Sequence, residues 1–250
     1  MTVTPTVTPT EGPHFAPPSI DVVWFDEAWI RGGPDLPRLQ ELADRQGGIF
    51  TTAEARKCGY RRSLLSYYVR RGWIGRIQRG IYRFVDHPVS PYDDLRAAWI
   101  AAGRDQAVLS HHSALYLLDL IDEKPWTVHL TVPRSRRWLA AQRRVRIHTR
   151  QEPFAEGEIV ACRGMRITAP EISIVDATED GMLTEVLFEA VARALARGVA
   201  SSGDLVARAR RCRVRRVERY IGLAIKAASG REAEIVRNSR PPGYSPPAPF

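Results

Sequence analysis

The sequence has 250 residues, of which 44% are hydrophobic, and its 37 basic and 28 acidic side chains give a formal net charge of +9. This length favours two domains with tails over one small domain, and the apolar content suffices for a buried core. The positive charge favours nucleic acid or another anionic surface as partner. No segment approaches the roughly 20 apolar residues of a membrane span, so we expect no membrane contact.

The three cysteines, Cys58, Cys162 and Cys212, have neither disulfide-like nor metal-like spacing. An odd set of thiols without such a pattern is typical of reduced cysteines in a cytosolic protein. The first residues also lack the basic and apolar regions of a signal peptide. We therefore expect a cytoplasmic localisation.

Both ends of the chain are rich in proline. The start repeats the unit VTPT, and proline at this density disfavours both helix and sheet. We predict that residues 1–34 form a disordered extension, in which the apolar segment Ser19–Ile30 either docks on the body or serves for interaction. Residues 230–250 are predicted to form a proline-rich tail.

Pro88 and Pro91 divide the rest of the chain into two predicted domains, residues 35–90 and residues 91–229. The first domain has 11 basic and five acidic residues. It therefore carries +6 of the total charge of +9 in less than a quarter of the chain. The expected anionic partner is accordingly a partner of the first domain.

Two short helices are predicted at the start of this domain. Apolar residues at helical spacing begin at Leu36. A second helix of about two turns follows, with Thr51 or Thr52 as N-cap, Glu54 within reach of a capping box, and Gly59 at its end.

The stretch Arg61–Phe84 contains seven arginines and no acidic residue, set in an apolar and aromatic framework. At about 100° per residue, Leu64, Leu65 and Tyr68 fall on one side of a helix. A short helix, a turn containing glycine and this helix together predict a helix-turn-helix. The opposite, polar side is free to enter a major groove and carries Arg62, Ser63, Ser66, Tyr67 and Arg70.

After this helix, the pattern predicts two short strands joined at Arg79-Gly80, where glycine accepts the positive φ of a tight turn. Ile77 is expected to face the core, between an outward Arg76 and Gln78. Such a ribbon after a recognition helix is a wing. We predict that arginines of the helix and wing neutralise phosphates, while Ser66, Tyr67 and the arginine pair reach base edges. A basic hairpin that packs on another domain is the alternative.

The second domain is predicted to combine several helices with a small sheet, which makes the whole chain α+β. Its most basic parts, residues 134–150 and 208–219, have seven arginines each. They extend the DNA footprint, face an acidic partner or form an ordinary solvated surface, and the sequence leaves these alternatives open. The predicted elements are helices at 92–103 and 110–120, strands within 126–133, 143–150 and 157–168, and helices from Pro170 and at 182–197, 203–212 and 215–228.

Sequence patterns of catalytic sites are missing: there is no zinc spacing, P-loop, dinucleotide glycine pattern or nucleophile elbow. His111 and His112 are adjacent, so they point to different sides of a helix and cannot chelate one ion together. Asp176 and Asp180 have no recognisable partners. We expect no catalytic residue, no metal site and no cofactor, and hence no enzyme.

Three segments are the most specific part of a wider resemblance to a known family. They are GRIQRGIYRF (75–84), SHHSAL (110–115) and TAPEISIVDAT (168–178). With their surroundings, from about residue 35 to residue 228, they resemble the AbiEi family, the antitoxin and transcriptional regulator of type IV toxin–antitoxin systems. The resemblance implies an N-terminal winged helix-turn-helix and a C-terminal antitoxin domain.

Members of that family bind repeats in their own promoter and repress the operon, and their C-terminal domain counters a nucleotidyltransferase-like toxin encoded next door. The resemblance thus implies double-stranded DNA and such a toxin as partners. Carried over to matching positions, it assigns DNA binding to Arg61, Arg62, Ser66, Tyr67, Arg70, Arg76 and Arg79. Ser63, on the same polar helix side, completes the predicted set.

Two other interpretations remain. In the first, the protein is a stand-alone winged-helix regulator without a toxin. In the second, it is a truncated relative of regulators that carry a nuclease domain of the very-short-patch-repair type. We expect no nuclease activity, because the residues after 229 leave no room for an acidic metal-binding core.

Overall fold

The computed structural model describes residues 33–136, 144–212 and 214–238, with side chains up to Gly230. Most of the predicted N-terminal extension and most of the proline-rich tail lie outside the described residues. The part that is described mixes helices with two small sheets, which confirms the predicted α+β class. None of its helices combines the length and the apolar character needed to cross a membrane.

The described part of the chain forms helices and strands that we number in chain order, with a short 3-10 turn at Arg134–Arg136. They are α1 (Leu36–Asp44), β1 (Ile49–Thr51), α2 (Thr52–Lys57), α3 (Arg62–Arg70), β2 (Ile74–Gln78), β3 (Ile81–Phe84), α4 (Asp93–Ala101), β4 (Val108–Leu109), α5 (His111–Leu117), β5 (Val128–Pro133), β6 (Val145–Arg150), β7 (Ile159–Cys162), β8 (Met165–Thr168), α6 (Pro170–Glu179), α7 (Thr184–Ala196), α8 (Ser202–Arg211) and α9 (Arg215–Asn238).

The first half, α1 to β3, has the order of elements of a winged helix-turn-helix. The Thr51 hydroxyl accepts the N–H of Glu54 at 3.0 Å, and the Glu54 carboxylate accepts the N–H of Thr51 at 2.8 Å. This is the predicted capping box, and it begins α2. In α3, Leu65 is fully buried whereas Leu64 and Tyr68 are half-buried, so the apolar side of the helix faces the core as predicted.

The three strands of this half form an antiparallel sheet in the order β1-β3-β2. The two wing strands and their turn at Arg79-Gly80 agree with the prediction. Ile77 does not: the strand register shifts between Arg76 and Gln78, and Ile77 is 43% exposed. Such a bulge adds a residue to one strand and breaks the two-residue alternation on which the prediction relied. Ile74 is the buried residue of β2.

The second half, α4 to α9, contains a five-stranded sheet in the order β6-β5-β4-β8-β7. Strand β5 runs parallel to β6 and β4 runs parallel to β8, while the other pairs are antiparallel. A second apolar cluster lies among α5 to α9. The last helix, α9, extends ten residues beyond its predicted end at Ala228, into the predicted tail.

The two halves share apolar core, because the first sheet is covered on both sides. Phe50 and Tyr82 lie opposite each other on β1 and β3 and pack with the helices of the first half. Their chain neighbours Ile49 and Ile81 point to the other face and join the core of the second half with Leu95 of α4. The proline boundary therefore does not separate two independent cores.

Polar contacts join the halves along the same face. Arg83, next to Tyr82 on β3, pairs with Asp93 at the start of α4 at 3.2 Å, and both side chains are largely buried. Arg104 pairs with Glu54 at 3.2 Å. The Arg83–Asp93 pair is screened less by solvent than an exposed ion pair, whereas the Arg104 side chain is 39% exposed.

We predict that Ile81→Ala destabilises the whole chain by about 2–5 kcal/mol, because it leaves a cavity where the two halves meet. Denaturant unfolding followed by circular dichroism and tryptophan fluorescence should show one transition for both halves. Ile77→Ala is the matched control on the neighbouring strand and should have little effect. Separate transitions for the two halves in the wild type would contradict a shared core.

Candidate nucleic-acid interface

A concave cleft of about 600 Å³ lies between α2, α3 and the wing. Four of its lining residues are arginines and none is acidic. A groove with one sign of charge concentrates the field that attracts an anionic ligand. The lining residues are Thr52, Ala53, Arg56, Arg62, Ser66, Arg76, Arg79, Gly80 and Tyr82.

The turn of the wing is held against the start of α2. The backbone N–H of Thr52 donates to the carbonyl of Gly80 at 2.9 Å, and its hydroxyl donates to the same oxygen at 3.3 Å. Gly80 has φ 81°, a conformation that disfavours a side chain. The neighbouring Arg79 is thereby fixed at the rim of the cleft.

Helix α3 supplies the facing wall. Arg62 and Ser66 are one helical turn apart, so they lie on the same side of the helix. The structure thus brings four of the eight predicted DNA-binding residues, Arg62, Ser66, Arg76 and Arg79, around one cleft. The other four are exposed on α3 or at its N-cap and do not line the cleft: Arg61, Ser63, Tyr67 and Arg70.

The predicted arginines of this surface lack acidic partners. Among the described residues, none of Arg61, Arg62, Arg70, Arg76 and Arg79 forms an ion pair with a carboxylate, and all five are exposed. Arg83, by contrast, is paired with Asp93. Guanidinium groups without a carboxylate keep their donors available for phosphate oxygens.

Ser66 and Tyr67, which are among the residues expected to read bases, already form hydrogen bonds within the helix region. The Ser66 hydroxyl donates to the Arg62 carbonyl at 3.0 Å, which leaves its oxygen as an acceptor. The Tyr67 hydroxyl accepts from Nε of Arg71 at 3.1 Å, which leaves its own hydrogen to donate. Ser66 therefore suits a donor on a base edge, and Tyr67 suits an acceptor.

Arg56 lines the cleft but is missing from the predicted set. It lies in the last turn of α2, the helix that precedes α3, and its side chain is exposed. Its basic character was visible in the sequence. Its place in the cleft depends on the angle between α2 and α3, which periodicity within one helix does not reveal.

The two basic runs of the second half differ from this surface, because their described arginines often pair with acids. In the first run, Arg146 pairs with Asp180 at 2.7 Å. In the second run, Arg208 pairs with both Glu158 and Asp176, at 3.3 and 3.4 Å. Burial raises the pKa of Asp176, and the nearby guanidinium of Arg208 opposes the rise. These arginines serve internal pairing, as in an ordinary protein surface.

Comparisons with known proteins agree with the sequence resemblance. Residues 37–85 match the family model described as the transcriptional regulator, AbiEi antitoxin. This match confirms the resemblance over α1 to β3, and so over the whole cleft. No curated protein matches the chain.

The structure is also similar to the crystal structure of the RV2827C protein from Mycobacterium tuberculosis. The TM-score is 0.54, with 19% sequence identity over 77% of this chain and 76% of that chain. At this level of identity the similarity concerns the fold, and it includes parts of both halves.

We predict that Arg76→Ala and Arg79→Ala weaken binding to all DNA sequences, because wing arginines contact phosphates. Ser66→Ala and Tyr67→Ala should instead reduce the preference for promoter over random DNA, by about 1–3 kcal/mol. Gel shifts on both DNAs measure the two effects.

Arg45→Ala is the matched control for charge. Arg45 is exposed in the same half but pairs with Glu41 on α1, away from the cleft. Its loss should leave both affinities nearly unchanged. Equal effects of wing and helix variants on promoter preference would contradict our assignment of base reading to α3.

Proposed function

We propose that the protein is a DNA-binding transcriptional repressor and the antitoxin of a type IV toxin–antitoxin system, acting by binding and not by catalysis. In this proposal α3 and the wing bind repeats in its own promoter in the cytoplasm. The second half counteracts a nucleotidyltransferase-like toxin. The observation that carries the DNA-binding part is the cleft, which has four arginines and no acid.

The geometry around the cleft supports binding to duplex DNA. An α-helix fits the major groove, and the exposed side of α3 carries Arg62, Ser66 and Tyr67. The wing stands beside the helix with Arg76 and Arg79. A helix in the groove and a basic ribbon on the neighbouring backbone would divide base contacts from phosphate contacts.

The family match supports the antitoxin role, since the matching model describes antitoxin regulators. The match covers the first half, so neutralisation by the second half rests on the wider resemblance through the SHHSAL and TAPEISIVDAT segments. The runner-up is a stand-alone regulator. A nucleotidyltransferase gene adjacent to this one would favour the antitoxin.

We predict that binding to the promoter is strongly salt-dependent, since each phosphate contact releases counterions and lowers log K by about 0.9 per unit of log[salt]. Removing Arg76 or Arg79 should reduce the slope by about one contact each. Fluorescence anisotropy at several salt concentrations measures it. A nearly flat dependence would show that the unpaired arginines do not contact phosphates.

We predict that neutralisation does not need DNA binding. The double variant Arg76→Ala/Arg79→Ala of the full chain should relieve growth arrest by the neighbouring toxin as the wild type does, when both are expressed from separate promoters. The full chain is used because the halves share a core. Loss of relief in a folded variant would place the wing in neutralisation, and arrest with the wild type would favour the stand-alone regulator.

A further inference from the structure

Three histidines that are far apart in the sequence meet in the second half. His111, His129 and His148 are separated by 18 and 19 residues. Each has a ring nitrogen within 4.8 Å of the corresponding nitrogens of the other two. His112 is not part of this group. We expected no metal site because the sequence has no zinc spacing, but strand pairing brings these three residues together.

The fold brings the three residues together through β4, β5 and β6. In the parallel pair β5–β6, Thr131 lies opposite His148, so His129 and His148 are two residues out of register on the same face. His111 directly follows Ser110 at the end of β4, and β4 pairs with the edge of β5 that lies away from β6. The strand order β6-β5-β4 therefore places all three imidazoles at one end of the sheet.

The geometry of the cluster is close to that of a metal site. Nδ1 of His129 lies 3.0 Å from Nε2 of His148, and the rings of His111 and His148 are stacked at 3.7 Å. Two nitrogens bound to one tetrahedral Zn²⁺ at 2.0–2.1 Å lie about 3.3 Å apart. Imidazole lone pairs lie in the ring plane, so the ring of His111 or His148 must rotate out of the stack for three nitrogens to meet at one ion.

Hydrogen bonds around the cluster orient its members. Nδ1 of His111 lies 2.9 Å from the Ser110 hydroxyl, which accepts a hydrogen bond from Thr131 at 2.8 Å. When Nδ1–H donates to Ser110, Nε2 keeps its lone pair for an ion. The backbone N–H of His129 donates to the Ser113 hydroxyl at 2.8 Å. Of these contacts, the one from the His111 ring nitrogen to Ser110 is of the kind that outer partners typically make with histidine ligands of metals.

The backbone at His111 is strained. Its φ is 52°, in the left-handed region that residues other than glycine rarely adopt. This strain persists only where the surroundings hold the residue, and it concentrates at functional sites. His111 is also buried, so the strained backbone carries a polar side chain within the protein.

A cleft of about 520 Å³ opens beside the cluster. His111 and His148 form part of its wall, and the carboxylates of Asp176, Glu179 and Asp180 line it as well. Asp180 reaches to 3.9 Å from Nδ1 of His129 while it pairs with Arg146. Solvent and small ligands can approach His111 and His148 from this side.

We propose that His111, His129 and His148 bind one divalent transition-metal ion of the zinc class, with the remaining coordination position open to the cleft. Three imidazoles suit zinc, cobalt, nickel or copper, whereas calcium and magnesium prefer oxygen ligands. Three protein ligands and an accessible fourth position are typical of open zinc sites.

The test uses the untagged full chain, since a histidine tag would bind metal itself. After treatment with EDTA and removal of the chelator, the protein is titrated with Co²⁺ and its visible absorption is recorded. We expect one Co²⁺ per chain with the intense bands of four-coordinate cobalt, displacement by one equivalent of Zn²⁺, and a higher melting temperature with Zn²⁺.

Two variants and a control assign the site. His148→Gln, on the edge strand β6, should weaken Zn²⁺ binding by more than the about 10–100-fold that loss of an outer partner causes. Ser110→Ala, which removes a positioning group, should weaken binding within that range and leave the cobalt spectrum unchanged. His87→Gln, in the first half, should bind as the wild type does. Circular dichroism confirms that each variant is folded.

The proposal is overturned if the folded wild type takes up no stoichiometric Co²⁺ or Zn²⁺, which would make the cluster a hydrogen-bonded histidine network. It is equally overturned if folded His148→Gln binds both ions as tightly as the wild type. If His148→Gln does not fold, the wild-type titration and Ser110→Ala decide the question.

Discussion

Burial of one small sheet on both of its faces is the constraint on which the rest of the structure depends. Adjacent residues of a strand point to opposite faces, so Tyr82 packs on the helices of the winged half while Ile81 enters the core of the second half. The wing strand β3 is therefore held from both sides. A wing fixed in this way presents Arg76 and Arg79 at a constant position relative to α3, as recognition of a regular duplex requires.

Charge is organised by the same arrangement. On the covered face of the sheet, Arg83 finds Asp93, and in the second half Arg208 finds Asp176 and Glu158. Arginines near the cleft have no carboxylate within reach among the described residues. Net charge alone, +9 for the chain, does not distinguish these two classes. Their pairing does, since it separates the arginines of the cleft from Arg83 and Arg208.

The sequence pattern predicted well the features that depend only on neighbouring residues. The capping box of α2, the buried Leu65 and the turn at Gly80 follow from neighbouring residues, and the structure has each of them. The outward Ile77 follows from a strand bulge, and the place of Arg56 follows from an angle between helices. The meeting of His111, His129 and His148 follows from strand order. Those features depend on tertiary pairing, which a single sequence does not display.

The central claim, that the unpaired arginines of the cleft meet DNA and paired ones such as Arg208 do not, is tested most directly by arginine footprinting of the full chain. Phenylglyoxal modification would be mapped by mass spectrometry with and without promoter DNA. The account predicts that DNA protects Arg62, Arg76 and Arg79 and leaves the reactivity of Arg193 and Arg208 unchanged. Protection of Arg208 with continued reactivity of the wing arginines would contradict it.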